Sequence, residues 1–77
     1  MELCGLKCGE SAVITAIDYA GRDLRRMHRL GITEGARITA AFRGFGKHLA
    51  AYYIKGVIIA LRRSDSERII CEKTEST

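Results

Sequence analysis

The sequence contains no proline and no tryptophan, and its 77 residues include only two phenylalanines and three tyrosines. Its apolar runs are short as well. Residues 57–61 read Val-Ile-Ile-Ala-Leu, far below the roughly 20 apolar residues that a membrane-spanning helix needs. No N-terminal segment joins a basic start to an apolar stretch in the manner of an export signal. We therefore expect a cytoplasmic protein that does not itself span a membrane.

Motifs for nucleotide hydrolysis and zinc proteolysis are also missing. The sequence has no G-x-x-x-x-G-K-[ST] phosphate loop, no H-E-x-x-H helix and no glycine-rich strand-to-helix fingerprint. A chain of 77 residues leaves little room for an elaborate buried active site. We expect a protein that is not an enzyme, with no catalytic residue and no cofactor.

Cysteine is scarce too. Cys4, Cys8 and Cys71 are an odd number in a chain without an export signal, which favours reduced thiols over disulfides. The C-x3-C spacing of the first two, together with Cys71, would supply thiolate ligands to a zinc-like ion, and His28 or His48 would complete the set. Ferrous iron prefers imidazole and carboxylate ligands, and no such cluster is visible. We therefore predict no metal site and interpret the cysteines as buried or idle thiols.

The charged residues favour anionic partners. Thirteen Lys and Arg exceed nine Asp and Glu, which gives a net charge of +4, below the charge density of a dedicated nucleic-acid binder. The hydrophobic fraction of 47% indicates a folded chain. We expect a single domain over residues 1–77, in which residues 72–77 form a frayed polar tail.

The clearest local pattern is a short helix followed by a glycine. Leu24, Met27 and Leu30 fall on one side of a helix at about 100° per residue. Gly31 suits a left-handed residue after the helix, and Ile32 can touch Met27 in the apolar contact of a Schellman motif. We therefore predict a helix that ends at Leu30 and whose apolar face lies in the core.

The opposite side of this helix is cationic. Its four arginines, which share an arc of about 100°, are Arg22, Arg25, Arg26 and Arg29. They could dock on an acidic partner surface or on anionic lipid headgroups, or they could form an ordinary solvated helix face. We take all four as candidate partner-binding residues.

The rest of the pattern predicts a mainly β protein. Alternation and turn signals place five strands, at residues 11–19, 38–43, 49–54, 57–61 and 69–71. Lys55 and Gly56 suit a tight hairpin turn. Ser64 and Glu67 have the spacing of a capping box, so a helical turn should precede the last strand. Five short strands with one short helix after the first describe a small SH3-like barrel.

Two details of this barrel follow from apolar spacing. Ile14 and Ile17 are three residues apart and would lie on opposite faces of a regular strand, so we expect a bulge between them. Leu3 and Leu6 precede the first strand and are expected to cover the open end of the barrel.

Residues 44–48, Gly-Phe-Gly-Lys-His, are typical of a contact loop. Phe45 would serve as an apolar anchor, and Lys47 and His48 would add basic groups. An ordinary hairpin loop is the alternative. We take these three residues as further candidates for partner binding.

Three motifs follow one another in the chain: Leu-Lys-x-Gly-Glu at residues 6–10, Arg-Leu-Gly-Ile-Thr-Glu-Gly at 29–35 and Gly-x-x-Ile-Ala-Leu-Arg at 56–62. In this order, over about residues 3–71, the chain resembles the FeoA family, the small accessory proteins of bacterial ferrous iron uptake. The family often has a proline-containing segment before its third strand, which this sequence lacks. The resemblance implies an SH3-like barrel that acts in the cytoplasm with FeoB, the membrane transporter that bears a GTP-binding domain.

The expected function is therefore that of an adaptor that binds and regulates the cytosolic part of FeoB and is peripheral to the membrane through it. Similar domains occur in iron-dependent repressors, so a metal-sensing module is one alternative. A small basic nucleic-acid-binding barrel is the other. Against it, Tyr52 and Tyr53 are adjacent and should point to opposite faces, which leaves no stacking platform. Open sheet edges leave room for a homo-oligomer.

Overall fold

A computed structural model describes residues 1–44 and 48–74. Its five strands are β1 (Ser11–Ile17), β2 (Arg37–Arg43), β3 (Leu49–Ile54), β4 (Val57–Arg62) and β5 (Ile69–Lys73). They form one antiparallel sheet in the order β4-β3-β2-β1-β5. Helix α1 (Gly21–Arg29) follows β1, and the single turn α2 (Arg63–Ser66) follows β4. The predicted mainly β architecture, with a short helix after the first strand, is confirmed.

Helix α1 ends as the sequence predicts. Gly31 has a φ of +88°, and its N–H donates to the carbonyl of His28 at 3.0 Å. The N–H of Ile32 donates to the carbonyl of Met27 at 3.0 Å. These are the two hydrogen bonds of a Schellman motif. Met27 and Ile32 are both buried in the core, so the helix end is fixed by apolar burial as well.

The apolar face of α1 is narrower than expected. Met27 is 1% exposed and Leu24 is half-buried, but Leu30 is 40% exposed. At about 100° per residue, Leu30 lies about 60° from Met27 and only about 40° from Arg26. It therefore occupies the border between the core face and the arginines, and the prediction that it belongs to the core is wrong.

A bulge in β1 lets two isoleucines reach the same core. The pairing of β1 with β5 shifts register between Ile14 and Ala16. After this shift Ile17 packs against the core in which Ile14 is already buried. The predicted bulge is confirmed.

A two-residue turn joins β3 to β4. Lys55 and Gly56 have φ values of 51° and 80°, the pair of positive angles that a type I′ turn requires. The predicted hairpin is confirmed, although a lysine is an uncommon residue in this conformation.

Helix α2 begins two residues earlier than expected from an N-cap at Ser64. Its N-cap is Arg62, and no side chain caps it, so the predicted capping box of Ser64 and Glu67 is wrong. Glu67 instead forms an ion pair with Arg63, with 3.2 Å between Oε1 and Nε. The helical turn itself is confirmed. Neither described helix is long and apolar enough to cross a membrane.

The N-terminal residues cover the outer edge of β5. The N–H of Cys71 donates to the carbonyl of Met1 at 2.8 Å, and Glu2 pairs with Ile70 in an antiparallel bridge. Leu3 and Leu6, next along the chain, are buried as predicted.

The last strand is longer than its sequence pattern indicates. β5 continues to Lys73, whose ammonium group pairs with Glu10, and the N–H of Thr74 donates to the carbonyl of Ser11 at 2.9 Å. The frayed tail expected from residue 72 therefore does not begin there. Residues 75–77 lie outside the described residues.

The core contains four side chains that the sequence-based core did not include: Ala12, Ala40, Tyr52 and Cys71. Its buried members are Leu3, Leu6, Ala12, Ile14, Met27, Ile32, Ile38, Ala40, Tyr52, Ile54, Leu61, Ile69 and Cys71. All five strands, α1 and the N-terminal turn (Leu3–Gly5) contribute, so each element is fixed by the same cluster.

Replacing Gly31 with alanine should lower the free energy of unfolding by about 1–2 kcal/mol, because an L residue is strained at positive φ. An added Cβ would meet only the Cδ of Lys55 at 3.5 Å, an ordinary contact, so crowding contributes little. Urea denaturation measures the change. Gly5→Ala is the matched control, since an added Cβ there meets only the flexible end of Met1. Equal losses in both variants would contradict this account of the helix end.

Candidate functional site

The four arginines predicted to bind a partner are all exposed on α1. These residues are Arg22, Arg25, Arg26 and Arg29. Arg26 pairs with Asp65, with 3.7 Å between Nη2 and Oδ1. The other three make no ion pair with any described carboxylate. These four exposed arginines make the outer surface of α1 a cationic face.

A groove of about 380 Å³ lies between α1 and β4. Its residues are Arg26, Met27 and Leu30 from α1 and the turn after it, Ala60, Leu61 and Arg62 from β4, and Leu49, Ser64 and Asp65. We call it the α1–β4 groove. One wall carries Arg26 and the apolar side chains of Met27 and Leu30. The other wall is β4, a strand at the edge of the sheet.

A second groove of about 400 Å³ adjoins the first. Its residues are His48, Leu49, Arg62, Arg63 and Ser64. Leu49, Arg62 and Ser64 line both grooves, so the two meet along β4 and the start of α2. The combined surface carries the exposed apolar side chains of Leu30 and Leu49 and three arginines, Arg26, Arg62 and Arg63.

The structure brings only part of the predicted site together. Arg26 and His48 line adjoining grooves, whereas Arg22, Arg25 and Arg29 line neither. The predicted residues Phe45 and Lys47 lie outside the described residues.

Sequence reasoning missed Leu30, Leu49 and Arg62. Leu30 was assigned to the core, Leu49 was predicted only as a strand residue, and Arg62 was noted only as the end of the third motif. The small angle between Leu30 and Arg26 on a helix was a signal in the sequence that Leu30 lies near the arginines. The edge position of β4, which exposes Leu49 and Arg62 to the grooves, depends on the strand order and had no signal in the sequence.

The two adjacent tyrosines of β3 behave as predicted. Tyr52 is 2% exposed and Tyr53 is 47% exposed, because successive side chains of a strand point to opposite faces. Tyr53 lies opposite Ile58 of β4, which is also exposed. The outer face of this hairpin therefore carries one tyrosine and an isoleucine, and not the two neighbouring aromatic side chains on which bases could stack.

A polar cluster holds α1 against α2. The hydroxyl of Tyr19 donates to Oδ1 of Asp65, the carboxylate that also pairs with Arg26. The guanidinium of Arg68 lies 5.2 Å from the centre of the Tyr19 ring, a cation–π distance. Arg26 and Asp65 also line the α1–β4 groove, so this cluster lies beside it.

The three cysteines are free. Cys71 is buried, Cys4 is half-buried and Cys8 is exposed. Burial raises the pKa of the Cys4 and Cys71 thiols, which keeps them neutral at neutral pH and makes them poor nucleophiles and ligands. Within residues 1–44 and 48–74, no group of three His, Cys, Asp or Glu side chains is placed to hold a metal ion.

Comparison with known structures identifies the class of fold as an SH3-like domain. The FeoA protein of Chlorobium tepidum superposes with a TM-score of 0.90 at 24% identity, covering 97% of this chain and 71% of that one. FeoA of Stenotrophomonas maltophilia, a prokaryotic SH3 domain protein in complex with zinc, gives a TM-score of 0.76 at 25% identity and covers 94% and 89%. A manganese-dependent transcriptional repressor gives 0.84 at 17% identity, with 96% and 41% covered. The predicted SH3-like fold is confirmed.

The family follows from the sequence itself. Residues 1–73 match the FeoA domain, and the chain belongs to the FeoA domain family. A comparison with curated proteins finds no match. The resemblance stated from the three motifs is confirmed, and the connection with ferrous iron transport is supported at the level of the family.

Tyr19 should ionise far above the range of an ordinary tyrosine. Burial, and next the hydrogen bond to Asp65, raise its pKa to about 12. Because the ordinary value is about 10, the stability contributed by the neutral hydroxyl is fully present below pH 10 and is lost as the pH rises towards about 12. The difference in tyrosinate absorbance between the wild type and Tyr19→Phe isolates this titration.

Asp65→Asn is the matching variant, since it removes the charge but keeps the size of the side chain. It should lower the pKa of Tyr19 only in part, because burial is the larger cause. A Tyr19 midpoint near 10 in the wild type would contradict the contact between Tyr19 and Asp65.

Proposed function

We propose that this chain is a cytoplasmic, non-enzymatic adaptor of ferrous iron uptake that binds the cytosolic region of FeoB and regulates the transporter. Membership of the FeoA family supports the link to iron transport. A role as a ferrous iron transport activating factor has been suggested for the Stenotrophomonas maltophilia protein. The observation that carries the proposal is the cationic face of α1 beside two grooves with exposed apolar side chains.

The composition of this surface suits a protein partner. Leu30 and Leu49 are 40% and 46% exposed, and arginines surround them. Interfaces concentrate binding energy in buried apolar and arginine side chains at their centre, while charges at the rim set orientation and association rate. The complementary surface on the transporter is therefore apolar at its centre and acidic around it.

The arginines of α1 contribute mainly to the association rate. They are exposed, so each one adds little binding energy by itself. Together they attract an acidic surface over about a Debye length, which is about 8 Å at physiological salt. Binding should therefore weaken as salt increases, chiefly through slower association.

Reversing the charge of the cationic face should reduce capture of the FeoB cytosolic region. For the triple variant Arg22→Glu, Arg25→Glu, Arg29→Glu we expect an association rate at least about tenfold lower. Surface plasmon resonance at two salt concentrations measures it. Arg37→Glu, an exposed arginine on β2 outside α1 and both grooves, is the control and should bind normally.

Two tests use cells. Deletion of the gene should impair ferrous iron uptake under iron limitation, and a pull-down with the protein should recover FeoB. Unaffected uptake together with no recovery of FeoB would overturn the proposal. Phe45→Ala should weaken capture and leave the melting curve unchanged if the loop of residues 44–48 contributes an anchor.

Two other outcomes would redirect the assignment. Oligonucleotide binding with a steep salt dependence would favour the nucleic-acid-binding alternative. Stoichiometric binding of zinc or ferrous ion that is lost in Cys4→Ser/Cys8→Ser would favour a metal-sensing module.

A further inference from the structure

The two edges of the sheet are treated differently. The outer edge of β5 is bonded to the N-terminal residues, through Met1 and Glu2. The other edge is β4, which pairs with β3 alone. In the described part of the chain, no backbone hydrogen bond reaches the far side of β4 between residues 57 and 61.

The register of the hairpin shows which groups are unpaired. In a two-residue hairpin the flanking residues exchange both hydrogen bonds, so Val57 bonds to Ile54, and every second residue of β4 then faces β3. The N–H of Arg63 donates to the carbonyl of His48 at 2.8 Å, which agrees with this alternation. Ile58 and Ala60 therefore direct their N–H and C=O groups away from the sheet.

Between its charged ends, this edge lacks the usual protection. Exposed edges are normally blocked by proline, inward charges, bulges or a covering element. Residues 57–61 contain neither a charge nor a proline, and β3 pairs with β4 without a bulge. Val57 and Ile58 are 58% and 54% exposed. The α1–β4 groove lies beside the last part of this strand, at Ala60, Leu61 and Arg62.

Positive charge stands at both ends of this strand. Lys55 lies at the hairpin end of β4. Its side chain passes close to Gly31, since its Cδ would be 3.5 Å from a Cβ added to that glycine. Arg62 and Arg63 lie at the other end, and all three side chains are exposed. An extended chain lying along β4 would therefore have apolar neighbours at its centre and cations at each end.

We propose that β4 binds an extended segment of a partner protein by strand addition, and that this segment has an uncharged, β-forming centre with acidic residues at both ends. The backbone groups of Ile58 and Ala60 supply the main-chain hydrogen bonds, and Lys55, Arg62 and Arg63 select the acidic ends. This inference rests on the proposed role as a binding protein and names the kind of segment that the α1–β4 groove takes.

A second copy of this chain is a poorer occupant. In the antiparallel two-fold register that pairs Ile58 of one copy with Ala60 of the other, Lys55 faces Arg63 of the other copy at both ends. Like charges placed directly opposite one another destabilise a strand pair. The same charges that attract an acidic segment therefore disfavour pairing of β4 with itself.

The test uses labelled nine-residue peptides with a Thr-Val-Thr-Val-Thr centre and two identical residues at each end. The end residues are glutamate, glutamine or lysine. Fluorescence anisotropy with the full chain should give the tightest binding for the glutamate peptide, about tenfold tighter than for the lysine peptide. No binding of the glutamate peptide at 1 mM, roughly the weakest affinity of interest, would overturn the proposal.

Ala60→Pro is the decisive variant. It removes an N–H that points away from β3, so the sheet keeps all its own hydrogen bonds while the incoming strand loses one. We expect about tenfold weaker binding of the glutamate peptide. Ala16→Thr is the control, because it enlarges an exposed alanine of β1 that lines neither groove, and it should bind normally. Unchanged binding by Ala60→Pro would overturn strand addition.

A charge variant covers the case in which Ala60→Pro fails to fold. Arg62→Glu changes an exposed side chain and should reduce the preference for the glutamate over the lysine peptide about tenfold. An unaltered preference would overturn the predicted acidic ends.

Hydrogen exchange gives a measurement that does not depend on affinity. In the free protein the amides of Ile58 and Ala60 should exchange faster than those of Ile59 and Leu61, and saturating glutamate peptide should protect them. Protection confined to the cationic face of α1 would overturn the assignment to β4. The peptides are synthetic, so the absence of peptide binding would overturn strand addition and would leave the test of FeoB capture unaffected. Peptide binding without capture of FeoB would overturn the adaptor role alone.

Discussion

The abrupt end of α1 is the constraint on which the rest of this small structure depends. With Gly31 in a left-handed conformation, the chain reverses within two residues and returns Ile32 to the core beside Met27. A helix that continued for another turn would carry residues 32–36 away from the sheet. The reversal therefore allows one nine-residue helix to serve both as a lid on the core and as the wall of a groove.

The position of that helix also explains where the two grooves and their exposed side chains lie. Its core face is narrow, so Leu30 remains at the border with Arg26 instead of packing inside. The cluster of Tyr19, Asp65 and Arg26 then fixes the helix against α2. As a result, a groove stays open between α1 and β4, where a small barrel would otherwise close over its edge strand.

Local features were predictable from the sequence because their causes lie within a few residues. The helix end at Gly31, the Lys55-Gly56 turn and the bulge before Ile17 each follow from backbone preferences or from spacing of two isoleucines. These local signals, taken in order, were enough to give the strand number and the fold.

The missed features depend on distant parts of the chain. Tyr19 and Asp65 are 46 residues apart, and nothing in the sequence pairs them. The exposure of Leu30 depends on how far α1 is rotated about its axis over the sheet, and a pattern of apolar residues fixes that rotation only to within about one residue, or 100°. The candidate site was therefore only partly predictable: its arginines were visible as a helical arc, but the grooves beside them arise from packing.

At Lys55, the residue that would give the most stable turn differs from the residue that would bind an acidic segment. An L residue other than asparagine or aspartate is strained at a φ of 51°, at a cost of about 1 kcal/mol. Asparagine would relieve that strain and would remove the cation at one end of β4. Selection for heat resistance alone would thus favour a change at a position that is proposed to select the acidic end of a bound strand. A stabilised version of this domain should accordingly be designed with residue 55 held constant.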